Sequence, residues 1–239
     1  MTDPCFNFKQ FTVRHEKCAM KVGTDGVLLG AWTDVVGVKH ALDVGTGTGL
    51  IALMLAQRSD ARIDAVEIDE QAFYQAQENV AASPWSDRIT LCHISFQQYA
   101  AREHGKKYDL IVSNPPYYSN SLKPSSKPMA QARHDTSLTL EALIFHARAL
   151  MSPEGRISLI IPSDVAARLI DLAFVYGLYP RRHLYIRPKA GKAISRCLIE
   201  LTCKCVPETN ESTLSILQDT SGEFTAAYRE LTRAFYLNF

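Results

Sequence analysis

The sequence predicts an α/β fold on a mostly parallel sheet. Three observations carry that expectation. Short apolar runs of strand type alternate with stretches of helical apolar spacing from Ala41 to Ile161. A glycine-rich turn, Asp43-Val44-Gly45-Thr46-Gly47-Thr48-Gly49, joins the first such run to the first such stretch. Two later strands, near 181–187 and 194–204, have no helix between them, which predicts an antiparallel pair at one edge of the sheet.

The elements follow in order. Ala41–Val44 is a short buried strand, and Leu50–Gln57 opens a helix with apolar spacing. Arg62–Glu67 predicts the second strand and Glu70–Ala81 the second helix, with Pro84 in the loop beyond. Arg88–His93 and Tyr108–Ser113 predict the third and fourth strands. Residues 114–135 are rich in Pro, Ser and Lys and predict a loop. Leu138–Met151 predicts a helix and Arg156–Ile161 the fifth strand, after which Ser163 can cap a helix that runs to Tyr176. The tail carries a short strand near 213–217 and a helix near 223–237. The expectation is one domain over 1–239, with an N-terminal segment 1–40, a core 41–205 and a C-terminal strand and helix in 206–239.

Composition sets bounds on function. With 239 residues and 46% hydrophobic content, the chain can bury a sizeable core. A formal net charge of +1 does not by itself announce nucleic acid. No apolar run approaches the ~20 residues that span a bilayer. The first residues lack the apolar core of a secretion signal, so the expectation is a cytoplasmic protein with no membrane partner. The six cysteines (5, 18, 92, 197, 203 and 205) are scattered. Cys203 and Cys205 form a close pair, but no second pair or His stands at zinc spacing, so free thiols and no metal are expected.

The glycine turn is the first candidate site. A turn between a buried strand and a helix brings backbone close to a ligand. Glycine permits that approach, and the helix N-terminus offers free N–H groups. Gly45, Gly47 and Gly49 form Gly-x-Gly-x-Gly, not the Gly-x-Gly-x-x-Gly of dinucleotide sites, which argues against NAD and FAD. Glu67 ends the second strand, where a carboxylate can accept both ribose hydroxyls of a nucleoside. Asp64 is its rival, but Glu67 lies nearer the carboxyl end, where ligands collect. Asp43 is either an anchor for the loop or a partner for a ligand ammonium group. The set points to a nucleoside-containing cofactor.

Asn114-Pro115-Pro116-Tyr117 is the second candidate site, at the carboxyl end of the fourth strand. An exocyclic amine on a heteroaromatic ring is a poor nucleophile because its lone pair is delocalised. Asn114 Oδ1 and the Pro115 carbonyl supply two acceptors that can orient the amine, and the prolines stiffen the turn. Tyr117 offers a flat face to the ring and tolerates a nearby sulfonium. No strong general base is required, so orientation and electrostatics carry the rate.

With both motifs placed, the chain resembles the class I S-adenosylmethionine-dependent methyltransferases that act on amino nitrogens. Several further segments are similar to the bacterial tRNA1(Val) adenine N6-methyltransferase family. They are Phe8–Val13, Cys18–Trp32, Ala76–Asn79, Ser83–Trp85 and Ala234–Leu237. The likeness runs nearly end to end and is weakest between 119 and 215. It implies a seven-stranded, mostly parallel Rossmann-like sheet with helices on both faces. It also implies S-adenosyl-L-methionine as methyl donor, and adenine 37 of a tRNA, beside the anticodon, as acceptor. It places Lys21 to Asp25, Thr24 among them, in the wall around the donor's methionine end. One departure stands out: where the family usually has an acid for the donor's adenine amino group, this chain has Ser95. A hydroxyl can accept there without charge, and Phe96 is expected to compensate by packing on the ring.

Basic residues are segregated. No acid lies between Asp171 and Glu200, a window that holds Arg181, Arg182, Arg187, Lys189, Lys192 and Arg196 with Tyr179, His183 and Tyr185 interleaved. The 110–134 loop carries Lys123, Lys127 and Arg133 without an acid. Both windows flank the predicted mouth, so Lys123, Lys127, Arg133, Arg181, Arg182, Lys189 and Lys192 are expected to contact RNA phosphates. Other readings stay open at this point. One is a glutamine N5-methyltransferase acting on release factors, although only about 40 residues precede the glycine turn here where that class has a helical substrate domain. A guanine N2 enzyme is a close variant, and a donor-binding RNA module without catalysis is a third reading.

Overall fold

The computed structural model describes residues 4–18, 21–116 and 138–239. A hairpin of β1 (Cys5–Asn7) and β2 (Thr12–Arg14) leads toward helix α1 (Thr24–Trp32). The alternating core follows: β3 (His40–Val44), α2 (Leu50–Arg58), β4 (Arg62–Glu67), α3 (Glu70–Ala81), β5 (Ile89–His93), α4 (Phe96–Arg102) and β6 (Tyr108–Ser113). Beyond the 114–137 region come α5 (Leu140–Leu150), β7 (Met151–Pro162), α6 (Ala166–Val175), β8 (Tyr179–Lys189), β9 (Arg196–Thr202), β10 (Asn210–Leu217) and α7 (Ala226–Thr232). The sheet order is β10-β8-β9-β7-β6-β3-β4-β5, and β9 alone runs antiparallel to its neighbours.

Three details differ from the sequence reading. The tail strand joins the sheet, parallel to β8, and raises the strand number from seven to eight. The antiparallel pair therefore lies inside the sheet, because β10 covers the edge that β8 would have left open. Strand β7 begins at Met151, directly after α5, and not at Arg156; Pro153 and Gly155 resemble a turn in sequence but form an irregular strand start against β6. Helix α4 was not foreseen. It has only seven residues, too few to show a period.

Alternation along each strand sorts the core into two layers. Ala41, Ile63, Ala65, Leu110 and Val112 face α1, α2 and the terminal segments, while Leu42, Val44, Val66 and Ile111 face α4, α5 and α6. Helix α1 is buried from Gly26 to Ala31 and packs on α2. A Cβ at Gly30 would come within 2.6 Å of Met54 Sδ, so a side chain there would push the two helices apart. The C-terminal residues close over the hairpin: Tyr236 stacks on Phe8 at 6.0 Å, and Lys9 Nζ donates to the Phe239 carbonyl at 2.7 Å.

A buried carboxylate organises the sheet behind α1. Glu200 is fully buried on β9. It accepts from Arg181 Nη1 at 2.5 Å and from Arg182 Nη2 at 3.0 Å, and Arg156 Nε lies 3.8 Å away. Arg182 also stacks on the Trp32 ring, 4.3 Å from its centroid. Glu200→Ala would leave these guanidinium groups facing a void. It is expected to lower stability by about 3 kcal/mol, read by urea denaturation. A loss under about 1 kcal/mol would mean that water already screens the network.

Candidate active site

The carboxyl ends of β3, β4 and β6 converge on the glycine turn. Gly45, Gly47 and Gly49 have φ of 71°, 57° and 82°, in the left-handed region that side chains avoid. The turn is tied to the sheet by N–H groups of Gly45 and Thr46, which donate to the Val66 carbonyl at 2.9 and 3.0 Å. A Cβ at Gly45 or Gly47 would meet nothing within 4 Å, so both point into open space.

Asp43 lies fully buried beneath the turn. Its Oδ2 accepts from Thr46 Oγ1 at 2.6 Å and from Ala52 N at 3.2 Å, so it anchors the loop to α2. Its Oδ1 is buried with no hydrogen-bond partner among the described residues. Burial pushes the carboxyl up from its ordinary value of 3.8 to about 7; the bonds from Thr46 and Ala52 oppose the shift, and the charge of Glu67 adds to it. A carboxyl raised in the folded state stabilises the fold in its neutral form, most fully below pH 3.8, and that stability is lost as pH rises through about 7. The ligand-free protein should therefore melt lower at pH 8 than at pH 6, and Asp43→Asn should flatten that trend. An unchanged slope in Asp43→Asn would assign it to other groups.

Glu67 ends β4 and is nearly buried. Its Oε2 accepts from Gly47 N at 2.8 Å, and its Oε1 accepts from Ile68 N at 2.8 Å and Asp69 N at 2.9 Å. These bonds use three of the roughly four lone-pair sites of a carboxylate. A diol ligand would have to displace some of them. Asp64, the rival acid, is excluded: it accepts from the hydroxyls of Tyr108 and Tyr99 and pairs with Lys106 Nζ at 2.5 Å.

Of the two expected adenine contacts, Ser95 already holds local bonds and Phe96 is corrected. Ser95 is the N-cap of α4; its hydroxyl accepts from Gln98 N at 3.2 Å and donates to Gln98 Oε1 at 3.1 Å. Phe96 is turned into the core, with its ring edge-on to His146 at 5.9 Å, and has no face to give a ligand. Ile68, which the sequence reading passed over, is the exposed apolar side chain at this edge, directly after Glu67. The missed signal was an isoleucine in a strand-to-helix turn, where burial does not explain it.

Asn114 leaves the sheet beside the turn. Ser113 is in register with Val44, and its Oγ donates to the Val44 carbonyl at 2.8 Å. The next residues of the two strands, Asn114 and Gly45, therefore emerge side by side. Asn114 is half-buried, Pro115 buried and Pro116 exposed. Tyr117, Lys123, Lys127 and Arg133 lie outside the described residues.

Thr24 begins α1 at the same edge. Asp25 accepts from Arg196 Nε at 2.8 Å, and Arg196 is in register with Pro162 at the carboxyl end of β7. Lys21 is exposed three residues earlier. Arg181 and Arg182 are removed from the expected RNA surface. They neutralise Glu200 and sit at the Trp32 end of α1, opposite the Thr24 end. Lys189 and Lys192 lie at the carboxyl end of β8, on the side of the glycine turn; Lys189 Nζ is 3.8 Å from Asp219, and Lys192 is exposed. Among the described residues no cluster of three or more His, Cys, Asp or Glu could hold a metal ion, and no helix is long and apolar enough to cross a membrane.

Comparison with known proteins agrees with this geometry. Residues 26–176 match the methyltransferase small domain family. The chain is 48% identical over 243 residues to a Bacteroides thetaiotaomicron protein named tRNA1(Val) (adenine(37)-N6)-methyltransferase, covering 100% of this chain and 99% of that one. It is 40% identical over 235 residues to an Edwardsiella ictaluri protein of the same name, covering 98% and 94%. Among solved structures, a predicted O-methyltransferase from Agrobacterium tumefaciens shares the fold with a TM-score of 0.66 at 19% identity, covering 88% of this chain and 96% of that one. Pyrococcus horikoshii TYW2, solved in complex with MeSAdo, shares it with a TM-score of 0.57 at 13% identity, covering 82% and 69%. The sheet is that of a class I methyltransferase, and the chain belongs to the tRNA1(Val) (adenine(37)-N6)-methyltransferase family.

Proposed function

We propose that the protein methylates N6 of adenine 37 in tRNA1(Val), with S-adenosyl-L-methionine as donor. The observation that carries this reading is the pairing of strand ends that sets Asn114 beside Gly45. An amine acceptor and a nucleoside-binding turn thereby share one opening. The residues present fit the donor. Asp43 Oδ1 is a buried acceptor in want of a donor such as an ammonium group. The open sides of Gly45 and Gly47 leave room for a close backbone approach, and Glu67 faces the turn from β4. When bound, the donor supplies an electrophilic methyl group on a sulfonium.

The chain's own residues supply position. Asn114 Oδ1 and the Pro115 carbonyl accept the two N–H bonds of the target amine, which turns its lone pair toward the methyl group. Tyr117 stacks on the base, which must leave its neighbours in the anticodon loop to enter. The amine proton departs after attack, so no strong base is needed. Thr24 and Lys21 border the donor's methionine end. A tRNA substrate places the protein in the cytoplasm.

Lys189 and Lys192, with Lys123, Lys127 and Arg133 of the segment after Tyr117, form the phosphate-binding surface in this reading. With three to five phosphate contacts, the log–log salt slope of tRNA affinity should be about −2 to −4. Replacing Lys189 and Lys192 by alanine should flatten it by about 1 to 2, whereas Arg181→Ala should leave it unchanged. A slope that ignores the double replacement would remove this edge from the surface. The reading as a whole is tested by methyl transfer to unmodified tRNA with mass analysis of the product nucleoside. N6-methyladenosine at position 37 is expected. Methylation of a release-factor glutamine, of guanine N2, or of nothing would each replace it.

A further inference from the structure

Two amides on α3 are buried where an amphipathic helix normally places apolar groups: Gln75 is fully buried and Asn79 is 2% exposed. Buried amides require partners, and these find theirs on the N-terminal chain. Asn79 Oδ1 accepts from Arg14 N at 2.9 Å. Its Nδ2 donates to the Arg14 carbonyl at 2.8 Å and to the Thr48 carbonyl, within the glycine turn, at 2.8 Å. Gln75 Oε1 accepts from Lys17 N at 3.1 Å, and Lys17 Nζ pairs with Glu78 at 2.5 Å. One side chain thus joins the strap Arg14–Cys18 to the turn that would hold the donor.

Apolar packing alone does not set the strap's position. A groove of about 520 Å³, lined by Phe8, Phe11, Arg14, Glu78 and Asn79 among others, lies between the hairpin and α3. At the far end of the strap, burial, together with the charges of Glu67 and Asp69, pushes the Cys18 thiol up to about 11. A few residues further on, Asp25 is held to the sheet by Arg196. The strap is therefore tied at both Arg14 and Lys17.

We propose that Asn79 is a positioning residue for the methyl donor, which clamps the N-terminal strap to the glycine turn and so forms one wall of the donor pocket. This rests on the donor-site reading above. Asn79 touches neither donor nor base; it acts through the Arg14 backbone and the Thr48 carbonyl. Asn79→Ala removes all three bonds. Arg14→Pro removes the strap's N–H and leaves α3 and the turn intact, on a strand edge where proline is tolerated.

The test combines calorimetry with S-adenosylhomocysteine, hydrogen exchange of residues 12–18, and steady-state kinetics on tRNA. Both variants should bind the probe about tenfold to a hundredfold more weakly, as for loss of buried hydrogen bonds. Exchange at the Lys17 amide should accelerate in both variants, and at the Arg14 amide in Asn79→Ala. KM for the donor should rise by about the same factor, with kcat at saturating donor and KM for tRNA within about threefold of wild type. Should Asn79→Ala fail to fold, Arg14→Pro carries the test. A freed strap with unchanged affinity overturns the clamp. Lost affinity in Asn79→Ala alone, with Arg14→Pro normal, also overturns it and assigns Asn79 to the turn. A wild-type protein that binds no S-adenosylhomocysteine overturns the donor site itself, and the clamp with it.

Discussion

Asn114→Ala is expected to lower single-turnover methylation of unmodified tRNA by at least ~100-fold, the loss typical of one positioned transition-state hydrogen bond. Donor affinity should stay close to wild type. The separation follows from the geometry. Ser113 Oγ holds the strand end to the Val44 carbonyl at 2.8 Å, so truncating the next side chain leaves the backbone path intact. Asp43, Glu67 and the glycine turn make their bonds without Asn114. Asn114→Asp keeps an acceptor of the same length and should retain part of the activity. Near-wild-type turnover in Asn114→Ala would mean that the tetrapeptide is only a turn and that the chemistry lies elsewhere.

Gly47→Val is expected to reduce donor affinity by at least ~100-fold, equivalent to about 2.7 kcal/mol. Gly47 has φ 57°, and a β-branched residue is strained there by about 1–3 kcal/mol. Its Cβ would meet no protein atom within 4 Å, so the fold should survive with a somewhat lower melting temperature. The new methyl groups would project into the space read as the donor's. Its N–H, which bonds Glu67 at 2.8 Å, would also be disturbed, so the change would reach Glu67 as well. Calorimetry with S-adenosylhomocysteine decides the matter: unchanged affinity would move the donor away from this turn.

Much of the fold was legible in the chain itself. The strands β3, β4, β5 and β6 lie within a residue of their expected bounds because each is a short apolar run closed by a turn or helix signal. The candidate site was legible for the same reason. Gly45, Gly47, Gly49, Glu67 and Asn114 all sit where a buried strand ends, and period and punctuation locate such ends. Helix α4 was not legible, since seven residues carry no period. Nor was the entry of Asn210–Leu217 into the sheet, which depends on an open edge far away in sequence.

Charge and aromatic character misled where partners are distant. Arg181 and Arg182 form a basic run in sequence, yet both pair with Glu200 on the neighbouring strand, at 2.5 and 3.0 Å. Phe96 follows the adenine slot in sequence, but the direction of α4 turns it toward α5. Asn79 reads as an ordinary polar residue on a helix until Arg14 and Thr48 are seen on either side of it. The sequence by itself determined the order of the elements, the strand ends and the residue types offered there, because these depend on local period and backbone freedom. Only the tertiary structure decided which charges are already neutralised, which rings are already covered and which amide joins the N-terminus to the glycine turn, because each of those facts is a contact between groups far apart in the chain.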